Sequence, residues 1–181
     1  MDLLNIEDSL LILIDVQEKL VAAIKDTLIA EKASKLANSA KLLNIPVIVS
    51  EQYPKGLGNT VDLVKLNLPA CTKYVEKTSF SLLREEGVKE ILDSVNRKQI
   101  ILCGIETHIC VYQTAIDLLN AGYEVTVAKD VCASRNNEEF ELGISAMKSA
   151  GATISCVEMI LFEWLKSAKH PHFKEIQAFI K

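Results

Sequence analysis

Ser9-Leu10-Leu11-Ile12-Leu13-Ile14-Asp15 is the stretch whose reading decides the fold. Five consecutive large aliphatic residues leave no polar face. A strand apolar on both sides belongs inside a parallel sheet, with helices covering each face. Gln99-Ile-Ile-Leu-Cys-Gly104 repeats the pattern, as do Pro46-Val-Ile-Val-Ser50 and Tyr123-Glu-Val-Thr-Val-Ala128. Thr72-Lys-Tyr-Val-Glu76 and Ala152-Thr-Ile-Ser155 are weaker members of the set. Between these runs the apolar spacing turns helical. Ile29, Ala33, Leu36, Ala40 and Leu43 share one face. Val111, Ala115, Leu118 and Leu119 share another, and Gly122 follows as a C′ residue. Phe140, Ile144 and Met147 form a third stripe, opened by Asn136 with Glu139 as a capping box. Two last helical segments, about 157–168 and 171–181, are split by Pro171. Strands alternating with helices predict right-handed crossovers and a doubly wound α/β sheet. No repeat or linker interrupts the chain, so residues 1–181 read as a single domain.

Composition narrows the partners. The net charge of -4 argues against nucleic acid. Basic residues are scattered, with no dense patch for a membrane surface. No apolar stretch reaches the roughly 18 residues of a spanning helix. The start, Met1-Asp2-Leu3-Leu4-Asn5, lacks the basic region of a signal peptide. Cys71, Cys103, Cys110, Cys132 and Cys156 are odd in number, and several lie inside strand-like runs. A reducing, cytoplasmic setting is therefore expected. There is no Cys-x-x-Cys pair, and two of three histidines lie near the C-terminus, so no zinc centre is expected.

Open parallel sheets bind ligands beyond the carboxyl ends of their strands. That rule selects Asp15, the run Glu76-Lys77-Thr78, and the turn from Gly104 to Cys110. With Thr107 as N-cap, His108 is the first helical residue and Cys110 the third. A first turn has unpaired N–H groups and the positive end of the helix dipole, which favour a thiolate. The same N–H groups suit an oxyanion. Alternatives stay open. Cys110 reads equally as a small buried residue, Asp15 as an N-cap for a helix beginning near Gln17, and Lys77 as a solvated lysine. His108 lies two residues from Cys110, on another face. The segment 51–70, with Pro54, Gly56, Gly58 and Pro69, is either a functional loop or a plain surface excursion.

Three segments carry a family resemblance. Leu-Ile-Leu-Ile-Asp15-Val-Gln17, Val-Glu-Lys77-Thr-Ser-Phe-Ser81 and Cys-Gly104-Ile-Glu-Thr-His-Ile-Cys110-Val resemble the signatures of isochorismatase-like cysteine hydrolases, in order and spacing over nearly the whole chain. Glu51-Gln-Tyr-Pro-Lys-Gly-Leu-Gly58, Gly104-Ile-Glu-Thr-His108 and His170-Pro-His-Phe-Lys-Glu-Ile-Gln177 resemble the branch of isochorismatase domain-containing proteins. The resemblance implies a three-layer, Rossmann-like, six-stranded parallel sheet of order 3-2-1-4-5-6. It implies a triad of Asp15, Lys77 and Cys110, in which Asp15 takes the thiol proton and later activates water, Lys77 supports the thiolate, and Cys110 forms a covalent intermediate. It implies a cis peptide between Ile105 and Glu106, with the Glu106 and Cys110 N–H groups as oxyanion hole. Gln17, Tyr53 and Phe80 are candidate pocket residues.

One departure bears on cofactors. Nicotinamidases of this superfamily hold a metal through an Asp-x-His pair and further histidines after strand two. Here that region is Ser50-Glu-Gln-Tyr-Pro54, and residues 1–107 contain no histidine. The expectation is a metal-free, cofactor-free hydrolase of a small amide or related molecule, assembled as a homo-oligomer, with no nucleic-acid or membrane partner. The alternative is a scaffold that keeps the fold with weak catalysis, using Phe162, Trp164 and Leu165 at an interface. Redox work by Cys110 is a third reading, weakened because Cys103 lies on the strand before it.

Overall fold

The computed structural model describes residues 2–24 and 28–180. Met1 and Lys181, the ends of the expected leader-free start and final helix, lie outside them. In chain order the elements are β1 (Ser9–Ile14), α1 (Glu18–Ala23), α2 (Ile29–Leu42), β2 (Val47–Gln52), α3 (Pro54–Leu57), α4 (Asp62–Lys65), β3 (Lys73–Lys77), α5 (Val88–Val95), β4 (Gln99–Ile105), α6 (Tyr112–Asn120), β5 (Glu124–Ala133), α7 (Asn137–Ser149), β6 (Thr153–Ser155), α8 (Val157–Leu165) and α9 (Phe173–Ile180). The six strands form one parallel sheet of order β3-β2-β1-β4-β5-β6. β1 is wholly buried, and β2 and β4 flank it. Strand order reverses between β1 and β4, so the crevice of the sheet opens there.

Every expected strand is present, and the differences have physical causes. β5 runs five residues past Ala128, because Lys129 and Asp130 break the apolar pattern without ending the strand. The register jumps there: Leu102 faces Val127, while Gly104 faces Cys132. Gly104 makes the passage possible, since at φ 132° an added Cβ would stand 1.9 Å from the Ile14 carbonyl oxygen. The 51–70 segment is not an irregular excursion. Its start belongs to β2, and α3 and α4 occupy much of the rest. Backbone bonds from Glu18 N to Asn59 O (3.0 Å) and from Val61 N to Val16 O (3.0 Å) lay it along the end of β1.

The helices bury the faces their spacing assigned. Ile29, Ala33, Leu36 and Ala40 of α2 are fully covered. Gly122 takes a positive φ of 88° just past α6. Asn136 caps α7 by accepting from Glu138 N at 2.8 Å. Trp164 of α8 is 1% exposed, and its indole N–H donates to Ser9 Oγ at 2.9 Å. Leu165 is also core, so of the residues expected to face a partner only Phe162 remains exposed. No helix among the described residues is long and apolar enough to cross a membrane.

Candidate active site

Asp15 follows β1 directly and takes a left-handed φ of 52°, a conformation Asp tolerates better than most residues. The turn carries its carboxylate into the interior. Oδ2 lies 2.7 Å from Lys77 Nζ, with both side chains fully buried. Ser50 Oγ, on neighbouring β2, donates to Oδ1 at 2.6 Å. Asp15 is therefore no N-cap: Gln17 holds that position in α1, without a side-chain capping bond. Nor is Lys77 solvated. It ends β3, two strands from β1, and its ammonium also donates to Gln52 Oε1 (2.6 Å), Phe80 O (3.1 Å) and Ser79 O (3.3 Å). A buried ion pair is tolerable only when its remaining donors are bonded in this way.

Gln17 is fully buried and braces the frame. Its Nε2 donates to Gln52 O and Gly58 O at 3.0 and 2.6 Å, and its Oε1 accepts from Gln52 N at 2.7 Å. Tyr53 is 58% exposed, and its ring lies over Gly56, where a Cβ would fall 2.3 Å away.

Cys110 lies on a single π-helical turn, Thr107–Val111, ahead of α6. Glu106, rather than Thr107, is its N-cap, which makes Cys110 the fourth residue of the turn. The Ile105–Glu106 peptide is cis, and Glu106 O accepts from Ile109 N and Val111 N at 3.1 and 3.2 Å. Cys110 is 7% exposed and lies within the electrostatic reach of Asp15 and Lys77. Burial first, then the Asp15 carboxylate, push Cys110 up to about 12, against the pull of Lys77. The expected thiolate is thus overturned for the resting site. Desolvation and an anionic neighbour outweigh one helical turn of dipole. Burial also raises Asp15, opposed by Lys77 and Ser50. One ammonium faces two acids, and it balances only one of them; the upward shift of Cys110 places the proton on sulfur.

His108 faces a different set. Its Nδ1 is 2.9 Å from Ser134 Oγ, and its Nε2 lies 3.3 Å from Glu139 and 3.5 Å from Glu106. Glu106 itself is 7% exposed at its side chain and binds Arg135 Nε. α7 backs this turn at Gly143, whose Cβ, if present, would lie 2.9 Å from His108 Cα.

A cleft of about 370 Å³ opens over Asp15 and Cys110. Leu20, Leu57, Phe80 and Ile109 make it apolar, while Lys19 and Arg135 add cations. Phe80 thus lines it, whereas Gln17 and Tyr53 stand outside that lining. A wider depression of about 760 Å³ at the opposite end of the sheet, by Asn5, Asp8 and Gln99, has no cysteine, serine or threonine in its lining. Among the described residues no three His, Cys, Asp or Glu side chains gather as a metal-ligand group. Glu51, near the end of β2, accepts from Thr60 N and Oγ1 at 2.6 and 2.7 Å. All five thiols are free; Cys103 and Cys132 are buried, and Cys71 is exposed.

Sequence reading missed Ser50, Gln52, Arg135 and the Glu106 side chain. A small hydroxyl and an amide after a strand carry no signal of their own. Glu106 and Arg135 are separated by 29 positions, with no motif joining them.

The chain matches the Isochorismatase domain model over residues 9–159. It is 42% identical over 173 residues to isochorismatase domain-containing protein 2 of Xenopus laevis, covering 95% of this chain and 83% of that one. It is 39% identical over 170 residues to isochorismatase domain-containing protein 1 of Salmo salar, covering 92% of this chain and 59% of the other. A solved structure described as MAR1 ribonuclease, from Caenorhabditis elegans, superposes with a TM-score of 0.94 at 37% identity, over 99% of this chain and 92% of the other.

Proposed function

We propose, because the chain belongs to the isochorismatase domain family, that it is a cysteine hydrolase of a small amide or related molecule, working without a metal through Asp15, Lys77 and Cys110. The observation that carries this reading is the buried pair beside the thiol: Lys77 stands against Asp15 at 2.7 Å, and Cys110 lines the same cleft as Asp15. As Cys110 Sγ attacks a carbonyl carbon, its proton passes to Asp15, whose raised affinity for a proton suits a general base. The carbonyl π pair moves to oxygen, and the N–H groups of Glu106 and Cys110 receive that oxyanion. Collapse expels the amine, protonated by Asp15, and leaves a thioester on Cys110. Water, deprotonated by Asp15, then releases the acid and restores the thiol.

The ribonuclease description belongs to the worm protein. For this chain a net charge of -4 and a cleft of about 370 Å³ support a small molecule over a phosphate backbone. The buried, protonated resting thiol favours one rival, a scaffold with weak catalysis. The deciding experiment incubates the protein with a metabolite pool and small amides, followed by rapid acid quench and intact-mass analysis. Adduct on Cys110, absent in Cys110→Ala together with turnover, supports the hydrolase. A silent panel alongside a stable protein partner overturns it. The proposal extends to a homo-oligomer in a reducing compartment, supported by exposed Met159 and Phe162 on α8 and by five free thiols. A monomer by light scattering at micromolar concentration would remove the first part.

A further inference from the structure

We propose that Arg135, anchored by Glu106, reads a carboxylate on the substrate, so that the molecule cleaved is a small anionic amide. This rests on the hydrolase reading and names its substrate class. Arg135 follows β5 and reaches the same cleft as Cys110. Its side chain is 63% exposed, yet it is not a loose surface arginine, because Nε is held by a carboxylate only 7% exposed. A carboxylate that buried is costly unless paired, and Arg135 is the strong partner of Glu106 Oε1.

Anchoring through Nε leaves the rest of the fork available. Nη1 and Nη2 make no hydrogen bond among the described residues, and Glu139 acts on the guanidinium only through its charge. Two parallel N–H groups from a planar guanidinium match a planar pair of oxygens. The charge around the cleft is balanced, Lys19 and Arg135 standing against Asp15 and Glu106 in the lining, with Lys77 behind Asp15 and Glu139 acting on Arg135, so the unbonded fork rather than a net charge selects the anion. Lys19 donates one of its three ammonium N–H groups to Gly56 O at 2.7 Å and presents a point charge, whereas the planar fork of Arg135 matches a carboxylate, which makes Arg135 the reader.

The test uses paired electrophiles that differ only at the far end. Chloroacetyl-glycine and chloroacetyl-β-alanine carry a carboxylate; their carboxamide twins do not. In each, Cys110 Sγ displaces chloride, and its proton leaves through Asp15 to solvent. Labelling of Cys110 is followed by peptide mass in a Cys71→Ser background. The carboxylate of at least one pair should label Cys110 with saturation and about tenfold to a hundredfold faster than its twin, the range of charge-assisted hydrogen bonds. Arg135→Gln should bring the ratio to that of a free thiol, and Arg135→Lys, which keeps charge but loses the fork, should fall between. Unfolded protein would also label at the free-thiol ratio, so buried Cys103 and Cys132 are followed in the same digest, and their staying unlabelled shows that the variant is folded. Twins labelling Cys110 equally, or a preference that survives Arg135→Gln, overturn the inference and leave the hydrolase reading standing. No labelling of Cys110 by any of the four sinks both.

Discussion

Asp15 has a φ of 52°, so Asn is the substitution that tests its charge alone: Asn and Asp are the side chains best suited to that conformation. Because the Asp15 carboxylate raises Cys110 while Lys77 lowers it, Asp15→Asn should bring the thiol down from about 12. For an acid, a lower pKa means more thiolate at a given pH. Iodoacetamide labelling of Cys110 at pH 8 should therefore rise in the variant, while amide turnover falls about 10²- to 10⁴-fold with the general base. Site-resolved labelling from pH 6 to 10 checks this: the wild-type rate should climb throughout without levelling, and the variant should level earlier. Slower labelling across the whole range would contradict the assigned electrostatics. Asp15, Lys77 and Cys110 are readable in the sequence because each stands at or beyond a strand end. Their shared interior is not, since it depends on Lys77 reaching across β2 to Asp15.

α7 shows why elements outside the site govern it. A glycine inside a helix costs about 1 kcal/mol relative to alanine. Gly143 is kept where α7 meets the backbone of Thr107 and His108. Gly143→Ala should therefore gain little or no stability by thermal melting, because the new methyl at 2.9 Å from His108 Cα must displace the turn that carries Cys110. Turnover and Cys110 labelling should drop while far-UV circular dichroism stays unchanged. A variant that melts higher with full activity would show that the contact yields freely. Patterning revealed β1 and β4 because nothing polar interrupts them. It lost the second half of β5 at Lys129 and Asp130, whose roles are tertiary: Lys129 pairs with Glu141 at 3.0 Å, and Asp130 accepts from Val157 N at 2.9 Å.

Across the whole molecule, alternation of elements gives the class of fold, but it does not order the strands; the order came from resemblance and is the order found. The C-terminal helices show the same limit. Trp164 looked like an interface residue by hydrophobicity and is instead bonded to the first residue of β1, 155 positions away. Ser9 Oγ also donates to Asn5 O at 2.7 Å, so Ser9→Ala strands a buried indole N–H as well. That should cost about 1–3 kcal/mol, or roughly 2–12 °C in Tm for a chain of this size by calorimetry. An unchanged Tm would show that the indole finds another acceptor. Trp164 is also the chain's sole tryptophan. Excited at 295 nm, the protein consequently carries one native fluorophore, seated at the seam between its last helices and its first strand. The emission maximum should report detachment of the C-terminal segment separately from melting of the sheet, with no dye, tag or engineered label.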